Sequence, residues 1–260
     1  MKPLGVKKED ILLRQNDSKN GVDSGASASS RQHYMNSKTS QLVADKMINA
    51  MKKTDGTYRT YDEMVAEGLP LRYEAQYENV TDPTLCALDP NTGVGNPTPA
   101  YTYGLFLAEV EVDVATGKTK VIGYTSVDDV GVIGNPTSVD GQAYGGLSHC
   151  MGFALTEDYD DVKKHSNMAG AGLLPIGEIP DDFNLIHLEN PRSTNPYGSS
   201  GASEAFQSAG HMAVINAINN ACGVRIYELP ARPEKVKAGL EKLARSFRLL
   251  PVSQVRLSPF

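Results

Sequence analysis

The stretch from Asn195 to Cys222 constrains this chain more than any other. Its first part, Asn195-Pro-Tyr-Gly-Ser-Ser-Gly-Ala-Ser-Glu204, is a loop of small and polar residues that cannot build a core of its own. Its second part has Phe206, Ala209, Ala213, Ala217 and Ala221 at helical spacing, with Met212 and Ile218 beside them. Ser203 reads as the N-cap of that helix and Gly223 as its stop. Glu204 is then expected in the first helical turn, beside free backbone N–H groups and the positive end of the dipole. Gly198, Gly201 and Ala202 let another body approach the backbone there. A carboxylate in that position either complements the helix dipole or serves as a general base or polar anchor.

A chain of 260 residues, 40% of them hydrophobic, can bury one large core or two smaller ones. The abundance of Gly (24) and Pro (15) points to many loops. A net charge of −6 leaves no basic footprint for nucleic acid or an anionic membrane surface. No apolar run reaches the ~18–20 residues that span a bilayer, and the first residues lack the apolar region of a signal peptide. A cytoplasmic protein is expected. Cys86, Cys150 and Cys222 fit no zinc or iron–sulfur spacing and read as separate, buried, reduced thiols. His33, His149, His165, His187 and His211 form no helical metal pair, and His211 reads as a packed or solvent-touching helix residue.

In chain order, Val6–Leu13 reads as a short strand region and Asp17–Asn20 as a turn. Seven of the eight residues from Ser24 to Arg31 are Ser, Gly or Ala. They lead into a helical pattern whose apolar face is expected from Leu42, Val43, Met47, Ala50 and Met51, along with Lys46. A small-residue loop opening a helix can hold phosphate through backbone N–H groups, with Arg31 adding a charge-assisted bond. It matches neither the P-loop nor Gly-x-Gly-x-x-Gly, so a linker or plain cap is an equal alternative. Thr57–Tyr61 and Leu71–Tyr77 read as short strands, Asp62–Glu67 as a short helix and Thr81–Pro99 as a surface loop. Leu105, Leu107, Val110, Val112 and Val114, then Ala-Thr-Gly-Lys-Thr, then Val121, Ile122, Tyr124 and Val127 read as a hairpin.

The segment Asp128–Gly146 feeds a helix ending near Leu155 that contains Gly141, Gly145, Gly146 and Gly152. Glycine in a helix costs about 1 kcal/mol relative to alanine, so either tight helix–sheet packing or a large group against the backbone is expected. The acidic run through Val162 reads as a solvated face, Gly170–Ile179 as a loop and Phe183–Leu188 as a strand. A charged helix spans Val236–Phe247. Ser199, Ser200 and Ser203 lack the elbow of a serine nucleophile.

Three segments resemble one family. Gly-Ser-Ser-Gly-Ala-Ser-Glu-Ala-Phe-Gln-Ser-Ala-Gly-His with Ala-Val-Ile-Asn-Ala-Ile-Asn-Asn-Ala, the Ser24–Arg31 loop, and Val-Gly-x-x-x-Asn-Pro with Gly-Gln-x-x-Gly-Gly are similar to the molybdopterin subunit of the xanthine oxidase family, particularly bacterial aldehyde oxidoreductases. The resemblance covers roughly residues 20–50 and 100–240. It implies an α/β (α+β) fold, with mixed sheets flanked by helices and a closing strand after Gly223. One C-terminal molybdopterin-binding domain would span 1–260, with subdomains 1–100 and 101–260, and would form the second half of a molybdenum-cofactor-binding region.

The resemblance implies that Glu204 is the active-site base. It implies that Gly25, Ala26, Ser27, Ala28, Ser29, Ser30 and Arg31 contact the pterin and its phosphates, and that Asn135 contacts the dinucleotide. Gln142 would bond an oxygen ligand of the metal, with Thr137, Val139, Ser200, Gly201, Ala202 and Ser203 as further cofactor contacts. No side chain would ligate the metal. The implied cofactor is molybdopterin with molybdenum in its cytosine dinucleotide form, with iron–sulfur clusters on other domains or chains. The implied reaction is oxidation of an aldehyde to a carboxylic acid with oxygen from water. The implied partners are an upstream molybdopterin-binding half or subunit, an iron–sulfur domain or subunit and the aldehyde substrate, with a homodimer open. Such a part would be inactive alone. A hydroxylase of N-heterocycles and a non-catalytic nucleotide-binding α/β module are the alternatives.

Overall fold

The computed structural model describes residues 4, 9, 19, 23, 25–78 and 85–248, with side chains described through 246. The strand expected over 6–13, the turn over 17–20, Ser24 and residues 81–84 of the expected loop therefore lie outside the described residues, apart from Glu9 and Lys19. The chain divides into two compact units, one from residues 1–101 and 191–201, the other from 102–190 and 202–260.

In the first unit, α1 (Gln32–Met51) follows the small-residue loop and α2 (Tyr61–Ala66) follows a short connection. Tyr34 and Ser37 are the buried residues of α1; of the expected apolar face Val43, Met47, Ala50 and Met51 are half-buried, while Leu42 and Lys46 are exposed. α2 starts on a reciprocal cap: the Glu63 N–H donates to Thr60 Oγ1 (3.3 Å), and the Thr60 N–H donates to Glu63 Oε2 (2.8 Å). The expected strands at 57–61 and 71–77 are absent. Tyr58 forms only a single bridge with Lys52, where the Arg59 and Lys53 N–H groups close the end of α1 on Met51 and Thr57. Near Glu74 a side chain, Lys46 Nζ, takes the place of a partner strand by donating to its carbonyl (2.8 Å). Residues 85–99 are irregular, with one bridge between Cys86 and Asn96. Cys86 is exposed, contrary to expectation, because it lies in that loop.

The second unit is built on a three-stranded mixed sheet in the order β1 (Tyr103–Val112), β2 (Thr119–Asp129), β3 (Asp182–Leu188). β1 and β2 are antiparallel, and β2 and β3 are parallel. The parallel pair requires a long crossover, which α3 (Pro136–Leu155) supplies. The hairpin turn has Gly117 at φ +78° with the Asp113 carboxylate accepting from the Ala115 N–H (2.9 Å). The register shifts at Glu109/Val110, where Ile122 is the extra residue on β2. On β1 the inward phase is Phe106, Ala108, Val110 and Val112, so Leu105 and Leu107 face outward, 63% and 55% exposed.

The core gathers Val121 and Tyr124 of β2, Leu147 and Met151 of α3, Val214, Ile215 and Ile218 of α4 (Gly210–Cys222), Phe206, and Val236 of α5 (Pro233–Arg248). Burying these side chains, at about 1.5–3 kcal/mol each, supplies the main force holding helices to sheet. α4 ends as expected, with Gly223 left-handed at φ +76°. The strand expected after Gly223 is absent: Val224 and Ile226 point inward and Arg225 and Tyr227 outward, yet no ladder forms. The acidic run after α3 is only partly solvated, since Glu157 is buried and accepts from Tyr159 Oη (3.0 Å), and Asp158 pairs with Arg232.

Candidate active site

The small-residue loop of the first unit is held by its own polar groups. The Gly25 N–H donates to Asp23 Oδ1 (2.8 Å), Gln32 Nε2 donates to Ser27 Oγ (2.8 Å), and Arg31 Nη2 donates to the Ala26 carbonyl (3.3 Å). Arg31 thus closes the loop that precedes it. Ser29 and Ser30 are both left-handed, at φ +56° and +50°, a conformation that costs non-glycine residues of order 1–3 kcal/mol each. Backbone held in this sparsely populated region is found preferentially at active sites and ligand clamps. No side chain caps the start of α1 and its first turn holds no acid, so neither offsets the positive end of the dipole.

Residues 191–201 belong to the same unit. Tyr34 Oη of α1 donates to the Thr194 carbonyl (2.8 Å), and Thr194 Oγ1 donates to the Pro99 carbonyl (2.9 Å). Gly201 lies against Ser30: a Cβ there would strike the Ser30 carbonyl, so only glycine fits. Asn195, Ser199 and Ser200 are buried. Among the described residues, Asn195 Nδ2 and Ser199 Oγ are buried side-chain atoms with no hydrogen-bond partner. Buried polar atoms are nearly always satisfied in a finished structure. Beside an approachable backbone, two orphaned ones fit a polar ligand such as a pterin.

In the second unit, Asn135 is the N-cap of α3, its Oδ1 accepting from the Ser138 N–H (3.1 Å), with Pro136 at the first helical position. Thr137 is exposed, Val139 packs against the core, and Gln142 is exposed one turn further on. The four helical glycines divide by face. A Cβ on Gly146 would lie 2.7 Å from Phe206 Cβ, and Gly152 abuts the Glu157 carboxylate. Gly141 and Gly145 face open space, the face a large ligand could approach.

Glu204 does not open an α-helix. It lies in a 3-10 turn, Ser203–Gln207, preceded by Ala202, which packs partly into the core, and α4 begins only at Gly210. The helical pattern breaks because Phe206 must drop fully into the core and because the chain passes very close to Tyr124 and Cys150 at Gly210. Tyr124 Oη donates to the Gly210 carbonyl (2.7 Å), and Cys150 Sγ donates to the Phe206 carbonyl (3.4 Å). Burial pushes both the tyrosine and the thiol pKa upward, which keeps these groups as donors. The turn is therefore pinned from beneath while Glu204 stays exposed.

Sequence reasoning missed Asp128, Asp140 and His187. His187 Nδ1 lies 2.8 Å from Asp128 Oδ1, and Nε2 lies 2.9 Å from Asp140 Oδ1. The one available signal was an acid at an inward position of β2. Ser126 Oγ approaches Asp128, not the ring, so this histidine activates no serine. His211 packs edge-on against Phe153 at 5.3 Å, and burial lowers its pKa.

The family profile for the molybdopterin cofactor-binding domain matches residues 1–180, and the chain belongs to that family. The aldehyde oxidoreductase of Megalodesulfovibrio gigas is 41% identical over 241 residues, which is 93% of this chain and 26% of that protein. The nicotine 6-hydroxylase large subunit of Paenarthrobacter nicotinovorans is 37% identical over 147 residues, covering 53% of this chain and 18% of the relative. Among solved structures, the aldehyde oxidoreductase of Desulfovibrio desulfuricans superposes with a TM-score of 0.84 at 45% identity, over 92% of this chain and 26% of that one. The chain thus spans about a quarter of the length of the aldehyde oxidoreductases it matches.

Proposed function

We propose that this chain is the part of a molybdenum hydroxylase that holds its pterin cofactor and carries its base, and that the whole protein oxidises aldehydes to carboxylic acids. Residues 25–31, Asn135, Thr137, Val139, Gln142 and 200–203 are its cofactor contacts. The orphaned Asn195 Nδ2 and Ser199 Oγ, the left-handed Ser29 and Ser30, and the open face at Gly141 and Gly145 support that assignment. When bound, the cofactor supplies a two-electron oxidation with oxygen from water. Arg31 orders the loop that meets phosphate. Asn135 sets the start of α3, and so where Gln142 projects. Glu204 accepts the proton.

The single observation that carries the reading is the placement of Glu204: an exposed carboxylate on a turn whose neighbours Phe206 and Gly210 are locked into the core. A base is effective when it is held still at the surface where substrate arrives. The cytosine dinucleotide form of the cofactor, an upstream cofactor-binding half, an iron–sulfur domain or subunit as the electron exit, and a homodimer complete the proposal. By itself the chain is expected to be inactive.

The match to a nicotine 6-hydroxylase subunit favours a second reading, hydroxylation of an N-heterocycle through the same residues. Glu204→Gln in the complete protein tests the base. Turnover is expected to fall about 10²–10⁴-fold with molybdenum and pterin retained, whereas unchanged turnover would remove Glu204 from the mechanism. Comparing aldehydes with N-heterocycles as substrates then separates the two readings.

A further inference from the structure

The cluster Asp128–His187–Asp140 joins three elements of the second unit. Asp128 is on β2 and 1% exposed at its side chain, His187 is on β3 and 12% exposed, and Asp140 is in the second turn of α3 and 46% exposed. Each ring nitrogen lies within hydrogen-bond distance of a carboxylate oxygen. An ionised carboxylate only accepts, so two such bonds require a proton on both ring nitrogens. The imidazolium then bridges the interior of the sheet to the outer face of the helix. The Phe206 ring, its centroid 6.3 Å from that of the imidazole and tilted 63° to it, closes the third side. The helix held this way carries Asn135 at its cap and Gln142 two residues past Asp140.

We propose that His187 is a positioning residue: as an imidazolium clamped between Asp128 and Asp140, it fixes the first two turns of α3 to the sheet and so aims Gln142. The aim toward a cofactor rests on the function proposed above, while the clamp does not. Losing one proton leaves one N–H for two acceptors, so one bond opens and the exposed end, Asp140, lets go first. Burial opposes the charge on His187, but the hydrogen bonds and negative charges of Asp140 and Asp128 outweigh it and raise its pKa. Burial pushes Asp128 upward while its bond to His187 pulls against that. The other charged groups nearby are Asp129 beside Asp128 on β2, Glu189 just past β3, whose carboxylate accepts from the Ile133 N–H, and Glu204 in the turn of Phe206. All are acidic, and of these Asp129 pushes Asp128 upward. A group whose pKa rises on folding contributes stability fully below its unfolded value, near 6.5, and loses it as pH climbs through the raised value.

The test is amide hydrogen exchange on the complete protein between about pH 6 and pH 10, spanning the ordinary imidazole value upward, corrected for the intrinsic pH dependence of exchange. Protection of residues 137–143 is expected to fall about five- to tenfold across that range, while α4 is unaffected. Asp140→Ala, at a half-exposed site that does not threaten folding, should abolish the step and leave 137–143 at the low level throughout. Asp140→Asn, which keeps an acceptor without the charge, should restore protection at low pH and move the step down toward the ordinary value. A flat wild-type profile, an Asp140→Ala protein indistinguishable from wild type, or an equal loss in α4 would overturn the clamp. Molybdenum content is read on the same samples. A clamp that behaves as expected in Asp140→Ala with undiminished molybdenum would leave the positioning intact and count against the cofactor role of Gln142 alone.

Discussion

Gly145 and Gly146 are neighbours in α3 and face different things. A methyl group at Gly146 would meet Phe206 Cβ at 2.7 Å and Gln207 Cγ at 3.2 Å, whereas one at Gly145 meets nothing within 4 Å. Gly146→Ala is expected to destabilise by about 1–3 kcal/mol through overpacking. Gly145→Ala is expected to stabilise by up to about 1 kcal/mol through helix propensity alone. Denaturant midpoints of the two variants would show whether the signs are opposite, and equal signs would contradict the division of faces. The glycine content of this segment was legible in the sequence, but which glycines touch protein was not, because that depends on where Phe206 falls. The same limit hid the inward Asp128 and its histidine, 59 positions apart along the chain.

At the scale of elements, the hairpin, α3, β3 and α5 were legible from periodicity and turn chemistry. The break between the Glu204 turn and α4 was not, since Ala209, Ala213, Ala217 and Ala221 keep helical spacing across it. What breaks the helix is tertiary: Tyr124 Oη reaches from β2 to the Gly210 carbonyl at 2.7 Å, just where a Cβ would collide with that hydroxyl. Tyr124→Phe removes this second donor while the carbonyl keeps its bond within α4, and is expected to cost about 0.5–1.5 kcal/mol. Thermal or urea unfolding measures the loss, and a variant as stable as the wild type would mean the bond does not set the register of α4. The extended run after Gly223 shows the converse case. The resemblance implies a strand there, and burial does alternate from Val224 to Tyr227, but alternation reports burial and cannot supply a partner strand.

For the whole molecule, the mixed α/β architecture and the family were legible because loop motifs of Ser, Gly and Ala survive as recognisable strings where packing does not. The chain belongs to the molybdopterin cofactor-binding domain family and spans about a quarter of the aldehyde oxidoreductases it matches. Among the described residues, no helix is long and apolar enough to cross a membrane. The proposal makes one composition claim about the complete protein, that these residues cradle a molybdenum pterin. Elemental analysis for molybdenum, with release and mass measurement of the pterin nucleotide, tests it most directly. Roughly one molybdenum and one pterin per chain are predicted, in proportion with each other. Protein made where the cofactor is synthesised, yet holding neither, would contradict the account and leave the family resemblance without its chemistry.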